Sequence, residues 1–243
     1  TPYKISTRKL DVFGDNIADN RALIGIKVNG NSQGFELRPS NVLAYISPAF
    51  VGVTAAIATA NLTEANDVST QKSNSALSLA VMYDAAPFYG SVAHESHKLE
   101  TLGAGWKESA TRLGFGFSQD VFSVGLVYEK TSDNFGAAGI NSVGHNAYYL
   151  GGKFNIGQDA VKFAYGKAGA VGTGAAQVAD SGASQVSVGY DMSMSKRTKL
   201  YALYTKISNG KGINYEFSQN SGAATTTSGY GTSPNALSFG LKH

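Results

Sequence analysis

The sequence predicts an all-β fold, an antiparallel transmembrane barrel, on three observations. Segments of about ten residues alternate large apolar side chains with Gly, Ser, Ala and a few bases. The connections between them are alternately tiny and long. No run of about 18 consecutive apolar residues offers a transmembrane helix, which leaves strands as the only elements that could span a bilayer.

Composition points the same way. The 243 residues include 29 Gly, 13 Tyr and 12 Phe, and only 15% are charged. Soluble domains carry about 25% charged residues, so this surface is weakly polar. With no cysteine the chain has neither disulfides nor a thiolate metal site. The net charge of +3, without a Lys/Arg run, gives no support for nucleic-acid binding.

Period-two alternation begins at residue 38. It predicts strands at 38–46, 50–59, 75–84, 88–97 and 109–118, then at 121–130, 145–154, 160–168, 183–191, 198–207 and 234–243. The first connection, SPA, is short and the next, ANLTEANDVSTQKSN, is long. AAP, QD, NIGQD and MSMSKR continue the short set. KLETLGAGWKE, TSDNFGAAGINSVG, GAVGTGAAQVADSG and residues 208–233 continue the long set. Each strand pair is thus a hairpin tight at one end and extended at the other, the asymmetry of outer-membrane barrels with short periplasmic turns and long external loops. The long loop 208–233, rich in Ser, Gly, Thr and Asn, is expected to be exposed.

The two faces of the strands differ in kind. One carries Leu77, Leu79, Val81, Leu113, Phe115, Leu126, Tyr148, Phe163, Val188 and Phe239. The other carries Ser78, Gly114, Gly116, Gly125, Gly151, Ser187 and Gly189 with scattered bases. A soluble β-sandwich would place more charge opposite its core, whereas Gly and Ser suit a water-filled lumen. Tyrosines near strand ends suit an aromatic girdle at the lipid headgroups.

Particular stretches then become recognisable. RPSNVLAYISPAFVGV (38–53) resembles the Arg-x-x-Asn-x-Ile/Leu-x-Tyr-x-Ser-Pro-x-Phe-x-Gly hairpin of Gram-negative general porins, the trimeric β-proteobacterial ones above all. MSMSKRTKLYALYTKISN (192–209) is similar to their last turn and penultimate strand, and ALSFGLKH (236–243) to their closing strand. The opening TPYKISTRKLDVFGDNIADN resembles the run into the third loop, which in that family folds into the channel as a constriction. The resemblance implies a sixteen-stranded barrel of which residues 38–243 supply strands six to sixteen. It also implies that residues 1–37 form the constriction loop, that five strands of the same protein precede Thr1, and that the closing aromatic lies just beyond His243.

As the resemblance implies, the protein is an outer-membrane channel for ions and small hydrophilic solutes. Its partners are then the lipid bilayer, lipopolysaccharide and two further copies in a homotrimer, with no cofactor, metal or nucleic acid. The expected constriction sets loop acids Asp11, Asp15 and Asp19 against the wall bases Arg38, Arg112, Lys153, Lys162 and Lys199. The strand faces also turn Lys242, Asp84, Glu95 and Glu129 inward. An excess of wall bases leads to an expectation of weak anion preference. HESH (94–97) cannot hold a metal through both histidines, because positions i and i+3 of a strand face opposite ways. An outer-membrane barrel with an enzymatic or adhesive role stays open as the alternative, although no nucleophile–base–orienter arrangement can be proposed for it.

Overall fold

The computed structural model describes residues 1–29, 32–63, 73–217, 223–225 and 231–243. Residues 64–72 of the long loop expected after residue 60, and two stretches of the loop 208–233, lie outside the described residues. The chain starts with a short helix, α1 (Pro2–Ile5), and two single 3₁₀ turns, Arg8–Leu10 and Asn20–Ala22. Then follow β1 (Asn41–Ile46), β2 (Val53–Asn61), β3 (Asn74–Ala85), β4 (Phe88–Leu99), β5 (Lys107–Ser118) and β6 (Phe122–Asp133). After these come β7 (Asn146–Ile156), β8 (Asp159–Ala168), β9 (Ala183–Ser193), β10 (Lys199–Asn209), the short β11 (Ile213–Asn214) and β12 (Ala224–Thr225), and β13 (Asn235–Lys242).

Ten consecutive strands and β13 form one antiparallel sheet in the order β1 to β10, then β13. β1 and β13 are its two edges, and no hydrogen bonds join them, so the sheet is not closed. The predicted strands are all present. The first begins at Asn41 rather than residue 38, so Arg38 precedes the sheet instead of lying on it.

Turn chemistry explains the tight ends. β7 and β8 are joined by Gly157 and Gln158 alone, with Gly157 at φ 63. Between β1 and β2, Phe50 and Val53 exchange two backbone hydrogen bonds across Val51 and Gly52, whose φ values are 48 and 80. Two successive left-handed residues make a primed turn, which matches the twist of the flanking strands.

Alternation sorts the strands as expected. Large apolar residues on one face stay exposed, among them Leu79, Leu113, Phe115, Leu150, Phe163, Val188 and Phe239. An exposed apolar face continuous over eleven strands is far larger than any patch a soluble monomer carries, and it is suited to lipid.

The inner face differs from the water-filled wall expected. Residues 1–29 and 32–37 lie against it, and every hydrophobic cluster of the structure forms in the seam or at its rim. Tyr3 and Phe35 meet Ala80, Ala93 and Ala110. Leu10, Phe13 and Ile24 meet Tyr89, Val127, Ala147, Tyr149 and Ala164. Leu23, Ile26 and Val28 meet Ala168, Ala183, Ile207 and the returning loop. Small wall residues are what allow this approach. A Cβ at Gly125 would lie 2.4 Å from the Leu10 carbonyl oxygen, and one at Gly189 would lie 2.7 Å from the Phe13 ring.

Part of the described portion of the loop 208–233, expected to be exposed, turns inward instead. Ile213, Tyr215 and Ala223 are buried, Ala223 donates its N–H to the Lys27 carbonyl, and its own carbonyl accepts from Asn29. A Ser/Gly-rich composition hid these three apolar contacts.

Gly125→Val is expected to destabilise the protein by about 1–3 kcal/mol through overpacking against Leu10. Gly90→Val, on the outer face with nothing near its Cβ position, should stay within about 0.5 kcal/mol. Thermal unfolding in detergent measures both.

Candidate functional site

Three anchors fasten residues 1–37 to the inner wall. The first centres on Arg112 of β5, which register places directly opposite Glu129 of β6. Arg112 is 2% exposed, with its guanidinium 2.6 Å from Glu129 Oε2 and 2.9 Å from Glu36 Oε1. The Tyr3 ring lies under it at 4.3 Å, and the Tyr3 hydroxyl donates to Glu129 Oε2 at 2.6 Å. Burial, helped by the Glu129 and Glu36 carboxylates, outweighs the lowering influence of Arg112 and holds the Tyr3 phenol well above its ordinary pKa, so it stays a donor. The Gly25 N–H donates to the other Glu129 oxygen, binding a second point of the loop to the same carboxylate.

A second anchor lies nearer the long-loop end. His97 of β4 faces Glu108 of β5 in register and is fully buried. Its Nδ1 is 2.7 Å from Glu108 and its Nε2 3.0 Å from Glu95. Ser32 Oγ and the Gln33 N–H both donate to Glu108, and Phe35 stacks on the imidazole at 4.8 Å. His94 lies on the opposite, outer face, exposed, against Thr111. Among the described residues no three His, Asp or Glu side chains converge as metal ligands.

Asp11 makes the third anchor. Its carboxylate accepts from the Phe13 and Asn20 N–H groups and from the Tyr149 hydroxyl of β7. Burial, reinforced by neighbouring Asp19, raises its pKa from the ordinary 3.8 to about 6. Near it, Tyr89 of β4 donates to the Ser6 carbonyl.

Four further loop charges, Arg8, Asp15, Asp19 and Arg21, pair among themselves instead of facing the wall, whereas Lys9 reaches Asp84 of β3. Arg21 binds Asp19 at 2.6 Å and Asp15 at 2.8 Å, and Arg8 reaches the same two carboxylates. Burial is the largest single influence on Asp19 and pushes its pKa up. The guanidinium of Arg21 and backbone N–H groups outweigh it and hold Asp19 below the usual range.

The bases expected on the wall therefore separate into three settings. Arg112 sits beneath the loop with its charge compensated. Arg38 is exposed at the rim of a cleft of about 350 Å³ lined also by Lys4, Arg21, Lys27 and Glu36. At the short-turn end, Lys153 stands opposite Lys162 across β7 and β8, and Lys199 opposite Lys242 across β10 and β13. Lys162 reaches Asp191 at 2.6 Å, while Lys199 is exposed. Like charges directly opposite in a sheet repel; with Lys162 held by Asp191, the bases of these pairs without an ion pair among the described residues are Lys153, Lys199 and Lys242.

A sheet apolar outside, with charge and an infolded segment inside, defines an outer-membrane β-barrel. A sequence profile of the Gram-negative porins matches residues 1–212, and the chain belongs to that family. Among solved structures, the anion-selective porin from Comamonas acidovorans superposes with a TM-score of 0.67 at 21% identity, over 92% of this chain. The outer-membrane protein OmpT of Vibrio cholerae superposes with a TM-score of 0.62 at 12% identity, over 83% of this chain. A trimer form of OmpT gives 0.56 at 10% identity and 82%. The chain spans 64%, 63% and 62% of the lengths of these three. No curated protein sequence gives a match.

Arg112→Ala is expected to cost about 3–5 kcal/mol, because it leaves Glu129 and Glu36 buried without their counter-charge. Pairing Arg112→Leu with Glu129→Gln should recover most of that loss, as read by thermal unfolding. Asp11 supplies a pH signature. Its folded pKa of about 6 exceeds the ordinary 3.8, so the folded loop binds the proton more tightly than the free segment does. The stabilisation is full below the lower value and lost as pH rises through the higher one. Hydrogen-exchange protection of residues 10–20, corrected for intrinsic exchange, should fall across that interval, and Asp11→Asn should remove the dependence.

Proposed function

We propose that the protein forms a water-filled outer-membrane channel through which ions and small hydrophilic solutes diffuse passively, with a weak preference for anions. One observation carries this reading: an infolded segment, fastened by three anchors, narrows the inner side of an apolar-jacketed sheet and leaves bases uncompensated on either side of it. Charge of one sign beside low-dielectric walls concentrates counter-ions and biases passage.

Within the proposal the expected constriction residues divide by task. Arg38 in the cleft, with Lys153 and Lys199 near the short turns, sets the field, while Lys162 is held by Asp191. Arg112, Asp11 and Asp19 set the aperture by holding the loop in place, and Asp15, with its side chain 74% exposed, is the acid left facing the passage. Anion selectivity in the Comamonas porin supports the sign of the preference. Assembly as a homotrimer rests on the family resemblance and on the trimer form of OmpT. No chemical step is assigned: His94 and His243 pair with threonines, and His97 is enclosed by two glutamates.

In planar bilayers under a KCl gradient, the reversal potential of the complete protein should take the sign of anion preference. Lys153→Glu with Lys199→Glu should move it toward cation preference at nearly unchanged thermal stability. Cation selectivity in the unaltered protein would refute the assignment.

A further inference from the structure

At the long-loop end of the wall, a buried imidazole joins three elements. His145, the residue before β7, lies between β6, the infolded segment and the loop that connects β10 to β13. Its Nδ1 is 3.5 Å from Thr131 Oγ1 of β6 and 3.3 Å from the Val143 carbonyl oxygen. Its Nε2 is 3.5 Å from the Tyr215 hydroxyl, and the Leu23 carbonyl also faces the ring. Leu23, Val143 and Tyr215 belong to one apolar cluster with Ile26, Val28, Ile207 and Ile213. Contacts this long are weak hydrogen bonds, so packing more than polar attraction holds the ring in place.

The carboxylates nearest the ring are already engaged. Glu129 of β6 is held by Arg112, Tyr3 and Gly25. Glu108 of β5 and Asp133 of β6 border a small cavity beside the ring. Glu108 binds His97, Ser32 and Gln33, and Asp133 accepts the N–H groups of Ser142, Val143 and Gly144. On the loop side stands only the Tyr215 phenol, which burial pushes well above its ordinary pKa, so it keeps its proton. An imidazolium here would find no carboxylate short of donors. Burial accordingly lowers the His145 pKa below the ordinary 6.5, against the weaker pull of Glu129 and the two carbonyls. The other three histidines lie elsewhere: His94 on the outer face, His97 between two glutamates and His243 against Thr198.

We infer that His145 is an acid-operated latch: its neutral ring holds residues 213–215 against the infolded segment, and its protonation frees them while the segment stays seated. A carbonyl only accepts, so Nδ1 donates to Val143 and Nε2 is the nitrogen that faces the Tyr215 hydroxyl. A second proton therefore enters at Nε2 and sets a full charge inside the apolar cluster, which is costly without a partner or water. The strands are fixed by their ladders and the segment by its three anchors. The loop is held inward only by Ile213, Tyr215 and the Ala223 hydrogen bonds to Lys27 and Asn29, so it is the element that yields. A lowered histidine pKa stabilises the seated loop fully above 6.5, and that stabilisation is lost as pH falls below it. Asp11 has the opposite sign, since acid tightens its anchor. Acidification thus seats the segment more firmly and releases the loop beside it. On the channel reading, with long loops outward, the acid state widens the outer mouth and leaves the aperture as it was.

The test is hydrogen exchange of the complete protein in detergent micelles, corrected for intrinsic exchange, from about pH 7.5 down to about pH 5. Protection of residues 213–215 should fall by up to about tenfold per pH unit below 6.5, the slope of one linked proton, while protection of residues 10–20 rises. His145→Phe keeps a ring in the cluster and should abolish the fall at 213–215 without altering the rise at 10–20. An imidazole nitrogen titration of the unaltered protein checks the same point without a variant: His145 should take up its proton only as 213–215 lose protection. Level protection at 213–215 across the range, a fall that persists in His145→Phe, or protonation of His145 with 213–215 still protected would overturn the latch. In planar bilayers the same acidification should raise the conductance of the unaltered protein and not that of His145→Phe. An intact channel without that rise counts against the latch, whereas the absence of any channel counts against the channel reading alone.

Discussion

A strand has two faces, and in this protein lipid claims one of them. Every carboxylate on the strands that must be held and paired is therefore confined to the inner face, apart from Asp159 at the short-turn end. That confinement brings Glu95, Glu108, Glu129 and Arg112 together on neighbouring strands, in direct cross-strand register where the turns allow it. Burying such charges is costly without good partners. The infolded segment supplies them: Tyr3, Gly25, Ser32, Gln33 and Glu36 complete the coordination of groups that the wall alone leaves short of donors or counter-charge. The segment and the wall are thus two halves of one buried polar network, surrounded by apolar contacts.

The glycines and alanines of the inner face acquire a specific meaning in this setting. Beside open water a small residue is merely tolerated. Beside Leu10 and Phe13 it sets how closely the segment approaches and hence how much passage remains. In the proposed channel, pore width is a matter of packing volume as well as of charge.

Much of this was legible in the sequence. Parity alone located all eleven strands and turned Lys153, Lys162, Lys199 and Lys242 inward, because an alternation once set admits no slip. The same parity turns Lys98, Lys107, Lys130, Lys167 and Lys206 outward, on the face of Leu113, Tyr128, Tyr165 and Tyr204. Two features were out of reach. The burial of Arg112 depends on which residues stand opposite it, and that register follows from turn geometry rather than from composition. The seating of residues 1–37 depends on Leu10, Phe13, Leu23, Ile24 and Phe35, whose irregular spacing carries no periodic signal among the charges around them.

The distribution of the anchors has a mechanical consequence. The segment is held near its start at Tyr3, at Asp11, and near its end at Gly25 and Gln33, so it behaves as a clamped span and not as a flap on one hinge. A flap swings as a whole and would switch a current between two levels. A span pinned at this many points can only bow between supports, with an amplitude limited by the short lengths of chain between them. In the proposed channel the electrical trace would be a steady level carrying fast, shallow noise, and a full closure would require several buried contacts to be broken together.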